Sequence, residues 1–147
     1  VNIVTAAARE ARSHSTVTTL ATGGVHKHRF PEGLEGTGQV AISIRLGGNW
    51  ARSLQTAHFP RLIVVAQADP SRDATDQIAE DAEDRAIAVL TALDHVFHRP
   101  TREAVWWGGS GGVLVLGSQR ETEPAPVNRP NVKSQWFQCV YDLKVAQ

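Results

Sequence analysis

The sequence predicts an α+β fold: a mixed or antiparallel β-sheet of about five to six strands, with one long helix and a short N-terminal helix packed on it. Three observations carry this expectation. QVAISIRL alternates apolar and polar residues, the period of a strand covered on one side. RLIVVAQAD is a near-continuous apolar run, the pattern of a central strand buried on both faces. Between Asp73 and His98 the apolar residues recur at three- and four-residue steps instead, which is the period of a helix.

Taken in order, VNIVTAAAREARSH joins helix formers to apolar residues at Ile3, Val4, Ala7, Ala8 and Ala11, so a short amphipathic helix is expected first. STVTTLATGG should end it in extended structure and a turn, because its β-branched residues resist helix and a glycine pair follows. A short strand is expected from Val25 to Phe30, then a turn at PEGLEGTG. In QVAISIRL, Val40, Ile42, Ile44 and Leu46 share the face expected to be covered. GGNWARSLQTAHFP reads as a long connection carrying two large apolar rings, Trp50 and Phe59.

The long helix is expected from Asp73 to about His98, with Ile78, Ala82, Ala86, Val89, Leu90, Leu93 and Phe97 as its apolar stripe. At 1.5 Å per residue that is about 37 Å of helix. Acids crowd its first half, His95, His98 and Arg99 stand at its negative end, and Asp81 is spaced to pair with Arg85. Pro100 stops it. TREAVWW, GGVLVLGSQR and KSQWFQCVYDLKV complete the sheet, the last two joined through the proline-rich ETEPAPVNRPN. In the last strand Phe137, Cys139, Tyr141, Leu143 and Val145 share one face, which makes Cys139 a small buried hydrophobe instead of a reactive thiol. The length of 147 residues suits a single domain spanning residues 1–147.

Composition narrows the function. Fifteen basic and fifteen acidic residues cancel, against the basic surplus that sequence-independent nucleic-acid binding requires. Seven of the acids lie between Asp69 and Asp84 beside one base, Arg72, and read as a solvated acidic face. One cysteine excludes an internal disulfide and suits a reducing cytosol. No stretch approaches the roughly 20 apolar residues of a membrane helix, so no membrane partner is expected.

Motifs for chemistry are weak throughout. WWGGSGG, residues 106–112, lacks the spacing of a phosphate-binding loop, has no lysine nearby and is followed by a strand, so it reads as a hairpin tip. Ser110 lacks the GxSxG context of a hydrolase nucleophile. His26 and His28 with Glu32 behind them, and the pair His95 and His98, fall short of a three- or four-ligand metal site. The cluster Glu80, Asp81, Glu83 and Asp84 lacks the spacing of a Ca²⁺ loop. No catalytic residue, cofactor or metal is therefore expected, and a small metal-dependent enzyme using His26, His28 and an acid is the rival of another class. Four tryptophans, three of them beside glycine or loop residues, suggest contact with other subunits, through Trp50, Phe59, Trp106, Trp107 and Trp136.

From Gln39 to Val145 the layout resembles the tail terminator proteins of long-tailed (siphovirus-type) bacteriophages. The resemblance lies in QVAISIRLGG, FPRLIVVAQAD with its strand-ending Ala68 and Asp69, the Ala-rich ATDQIAEDAEDRAIAVLTAL, and a proline-rich loop followed by SQWFQCVYDLKV. It is one of pattern and order, so no functional residue is carried over. It implies a non-enzymatic virion protein, assembled in the host cytoplasm as a homo-oligomeric ring of the hexameric kind, at the head-proximal end of the tail. Such a ring caps the tail tube and joins it to the head-tail connector, with DNA passing through its lumen without sequence-specific binding. A head-tail connector, neck or tail-tube subunit of the same virion is the alternative within that class.

Overall fold

The computed structural model describes residues 2–49, 57–98, 103–129 and 133–146. The chain opens with α1 (Ile3–Arg12), capped by the Asn2 side chain, which accepts a hydrogen bond from Thr5 N at 2.9 Å. All five residues of its expected apolar face are buried. The next segment departs from expectation, because Ser15–Leu20 forms a second short helix, α2. Its β-branched residues are poor helix formers in isolation, but Val17 is wholly buried against the helix layer, and tertiary burial outweighs a few tenths of a kcal/mol of propensity per residue.

Strand β1 (Val25–Lys27) pairs in parallel with β2 (Val40–Asn49). After the two-residue β3 (Ala57–His58) comes β4 (Pro60–Ala68), which runs antiparallel to β2. A two-stranded hairpin follows, β5 (Ser71–Arg72) and β6 (Ile78–Glu80), and then α3 (Ala82–Phe97). The last strands are β7 (Val105–Trp107), β8 (Val113–Arg120), the short β9 (Ala125–Val127) and the twelve-residue β10 (Gln135–Ala146). The sheet order is β1-β2-β4-β10-β8-β7, with β3 and β9 pairing onto β10. The sheet is thus mixed, six strands along its main path, with helices on one face, as predicted.

The long helix is shorter than its periodicity suggested. Residues 71–80 form the hairpin, and Asp81 is the N-cap, accepting from Asp84 N at 2.8 Å. Ile78 therefore sits in β6, 56% exposed, while Ala82, Ala86, Val89, Leu90, Leu93 and Phe97 are all buried. Turn chemistry explains the difference. Asp73 accepts hydrogen bonds from Thr75 and Gln77, and Asp76 takes a left-handed φ of 61° that no helix tolerates. Arg85 does not pair with Asp81; its guanidinium donates to the carbonyls of Gly38 and Asp69 at 2.9 and 2.8 Å.

The sheet curls so that α1 touches strands at both ends of it. Arg12 donates to Val25 O of β1 at 2.6 and 3.1 Å, while Glu10 accepts from Gly108 N beside β7 at 3.2 Å. One apolar cluster fills the space between sheet and helices, and includes Ile42, Leu62, Val64, Phe97, Trp107, Tyr141 and Leu143. Cys139 lies within it, as expected from the strand alternation.

Strand β2 corrects a second expectation. Val40, Ile42 and Ile44 face the helices, but Ala41 and Ser43 on the opposite face are buried too, and Leu46 is 51% exposed near the strand's end. The covering comes from the 28–38 segment, whose Phe30 meets Trp136 at 5.3 Å between ring centroids. Strand β4 lies between β2 and β10 with both faces buried from Val64 to Ala68, which agrees with its central placement. Among the described residues no helix is long and apolar enough to cross a membrane.

Candidate subunit interface

The five rings expected at an interface do not share one surface. Trp107 and Trp106 are neighbours in β7, so the pleat sends them to opposite faces. Trp107 turns inward, is wholly buried and stacks on Phe97, and it is withdrawn from the interface set. Trp106 turns outward and is 60% exposed. It lines a depression of about 500 Å³ with Ile3, His58, Leu114 and Ala146.

Trp136 is also largely accounted for within the chain. Its indole N–H donates to Gln67 Oε1 at 2.9 Å, Phe30 lies against it, and the Arg129 guanidinium stands 3.6 Å above its ring. It is a half-buried cover for the sheet. Phe59, between β3 and β4, is half-buried beside Arg61, Glu121 and Asp142. Trp50 lies outside the described residues.

The glycine tip between β7 and β8 is a hairpin connection, with Trp107 paired to Val113 and Gly112 N donating to Gly109 O at 3.0 Å. Gly108, Gly109 and Gly111 have φ of 86°, 67° and 73°, which side chains rarely adopt. The tip is also seated on α1. A Cβ at Gly108 would stand 3.0 Å from Ala6 Cα, and the Gly108 amide, which a phosphate loop would turn toward an anion, faces the Glu10 carboxylate. The glycines thus serve close approach of a hairpin to a helix, and they do not carry both tryptophans outward.

The histidines of the metal alternative are engaged separately. His26 bonds the Gly23 carbonyl at 2.7 Å, His28 leaves the strand at φ 70°, and His98 Nδ1 accepts from Arg120 N at 3.1 Å. Among the described residues no group of three His, Cys, Asp or Glu side chains is placed to hold a metal ion.

Strand alternation defines the sheet face turned away from the helices. It carries Arg45 of β2, Arg61 and Ile63 of β4, Gln138, Val140, Asp142 and Lys144 of β10, Gln119 of β8 and Trp106 of β7. Arg61 and Asp142 form an ion pair at 2.7 Å across it. Glu121 beside them has its carboxyl raised above the usual range by the Asp142 charge and by a hydrogen bond between the two carboxyl groups. At the other end, a depression of about 420 Å³ is lined by Arg29, Phe30, Arg45, Val65, Trp136 and Gln138 among others. Sequence reasoning missed this site, because Arg29 and Phe30 precede a segment read only as turn. The signal available was Arg45, a cation on the polar face of a well-alternating strand.

The acidic run also divides. Asp76, Glu80, Glu83 and Asp84 are exposed as expected, but Asp69 is 4% exposed. Its carboxylate accepts from Ser134 Oγ at 2.6 Å and Gly38 N at 3.0 Å, and Ser134 Oγ in turn accepts from Gly36 N at 3.1 Å. This network ties the 33–38 turn to the start of β10.

No protein-family model matches the chain, and no curated protein sequence does. A solved structure shares its fold. That chain comes from the "Virion of native gene transfer agent (GTA) particle" and superposes with a TM-score of 0.61 over 99% of this chain and 95% of that one, at 12% sequence identity. The likeness at that identity is one of fold: a curled mixed sheet lined by helices, shared from end to end.

Proposed function

We propose that this chain is a structural subunit of a phage-type virion, and within that class a tail terminator: a non-enzymatic protein that closes into a ring, of the hexameric kind, on the tail tube and joins it to the head-tail connector. The observation that carries the reading is the near complete overlap in fold with a chain of a gene transfer agent virion. Agreement over nearly all of both chains supports a shared architecture from one end to the other.

Two features of the chain support assembly. One sheet face packs against helices and the other does not, and the latter presents an exposed indole, Trp106, at its β7 edge, while Ile63 and Val140 lie half-buried in the same layer at the β4–β10 pairing. Exposed Trp is concentrated where subunits meet. A repeated head-to-tail contact then gives a ring if its rotation closes. DNA would pass through the lumen, held by no sequence-specific contact.

Native mass spectrometry at rising concentration tests the ring, and negative-stain microscopy with purified tail tubes tests the station. A closed ring on one end of the tube is the expected result. A strict monomer at high concentration that leaves tubes bare would overturn the reading, and a ring bound to the connector alone would favour a neck protein.

A further inference from the structure

The β5–β6 hairpin stands apart from the main sheet and is built to hold its shape. The Asp73 carboxylate accepts from Thr75 Oγ1, Thr75 N and Gln77 N at 2.7, 2.9 and 3.0 Å, closing the turn. On this hairpin Ile78 is 56% exposed, an apolar side chain left in water opposite Arg72. The exposed carboxylates of Glu80 and, in the first turn of α3, Glu83 follow it in the chain, with Asp73 and Asp76 in the turn, so that acids outnumber the one base. Neither Glu80 nor Glu83 has an ion-pair partner among the described residues.

The pocket on the opposite sheet face has the complementary make-up. Phe30, Val65 and Trp136 supply apolar lining, and Arg29 and Arg45 stand exposed at it, with no hydrogen-bond or ion-pair partner for either guanidinium among the described residues. The base of the hairpin lies in the helix layer, where Ser71 and Glu80 share a cleft with Leu20 of α2 and Arg85 of α3. The pocket lies across the sheet from that layer. Hairpin and pocket are therefore separated by the sheet in one molecule, and they can meet only between molecules.

We infer that the hairpin of one copy of this chain seats in the pocket of the next, with Ile78 against Phe30 and Trp136, and Glu80 and Glu83 beside Arg29 and Arg45. The inference rests on the ring reading above and specifies its contact. An acidic projection on one side and a basic socket on the other make the contact head-to-tail and fix its direction. Opposed charges also speed encounter and disfavour the back-to-back arrangement, in which like charges would face. Burial of Ile78 removes an apolar side chain from water and so favours the seated form.

The test uses the full chain with Arg29→Glu plus Arg45→Glu as one variant and Glu80→Lys plus Glu83→Lys as another, both at exposed positions. Circular dichroism and thermal melting first confirm that each folds. Sedimentation velocity then compares wild type, each variant alone and an equimolar mixture. Each variant alone should need on the order of tenfold or more higher concentration to assemble, since its socket and projection now repel. The mixture should assemble again, because each variant's socket then faces the other's projection with opposite charge.

Variants that assemble like wild type while wild type forms rings would overturn the hairpin contact and leave the ring reading intact. A wild type that stays monomeric overturns both. Normal rings from the Arg29→Glu, Arg45→Glu variant together with lost affinity for duplex DNA at low salt would assign the pocket to nucleic acid and also overturn the inference.

Discussion

Phe97, the last residue of α3, and Trp107 of β7 stack with ring centroids 4.7 Å apart and 23° between their planes. Tyr141 of β10 meets the same Phe97 ring edge-on at 5.6 Å, so one aromatic cluster joins the helix to strands on both sides of β8. Such geometry adds to simple burial because ring quadrupoles favour offset and edge contacts.

The two adjacent tryptophans should therefore separate cleanly on mutation. Trp107→Ala empties a fully buried site and should cost about 3–5 kcal/mol, read as a lowered midpoint in urea unfolding. Trp106→Ala should change stability by no more than about 0.5 kcal/mol, being exposed. If the outer face carries a subunit contact, Trp106→Ala should instead weaken assembly, measured by sedimentation on the same sample.

The Asp69 network gives a second prediction. Asp69→Ala leaves Gly38 N and Ser134 Oγ without their acceptor in a buried setting, which should cost about 1–3 kcal/mol. The loss should be local as well as global. Hydrogen exchange at the Gly36 and Gly38 amides should accelerate beyond what the drop in overall stability accounts for, because the 33–38 turn loses its tie to Ser134.

Cys139 should be chemically silent in the folded protein. Desolvation pushes its thiol up to about 12. Against an ordinary thiol near 8.5, that leaves about a thousandfold less thiolate at pH 8, before steric exclusion is counted. Alkylation by iodoacetamide should follow global unfolding, with the rate rising across the urea transition. Fast labelling in native buffer would show that β10 opens locally.

Much of the fold was legible where a period was strong and a single rule applied. The β10 alternation identified Phe137, Cys139, Tyr141, Leu143 and Val145 as one buried face, and the stripe from Ala82 to Phe97 identified the helix surface that packs. Errors arose where two rules competed. Ile78 fits the helical stripe by spacing, yet Asp73 and Asp76 impose a turn that overrides it. Val17 lies in a β-branched run whose propensity opposes helix, and only burial against the helix layer decides otherwise. The tryptophan pair held an unused clue, since neighbours in a strand face opposite ways and Trp106 and Trp107 could not both be exposed on one side. The basic pocket was legible only in half: Arg45 on the polar face of its strand was a local signal, but its meeting with Arg29 comes from the parallel pairing of β1 and β2, a long-range relation with no local signature.

Glu121 makes stability depend on pH in a direction set by its repulsion from the Asp142 charge. The Asp142 charge, then the hydrogen bond between the carboxyl groups, then burial raise the Glu121 carboxyl, and nearby Arg61 opposes this. A raised carboxyl means that folding favours the protonated form. Its contribution is fully present below the unfolded-state value, near pH 4, and is lost as pH rises through the higher folded-state value. At neutral pH wild type therefore carries an unrelieved repulsion between the two carboxylates, softened by solvent and by Arg61. Glu121→Gln removes that charge and keeps an amide able to donate to Asp142. It should raise the melting temperature at pH 7, and the advantage should shrink as pH falls toward 4, where the wild-type carboxyl takes up its proton. Melting curves of both proteins from pH 4 to pH 8 test this. A gap that widened toward acid would mean that Glu121 helps the fold as an anion, with its carboxyl lowered by Arg61 instead of raised by Asp142.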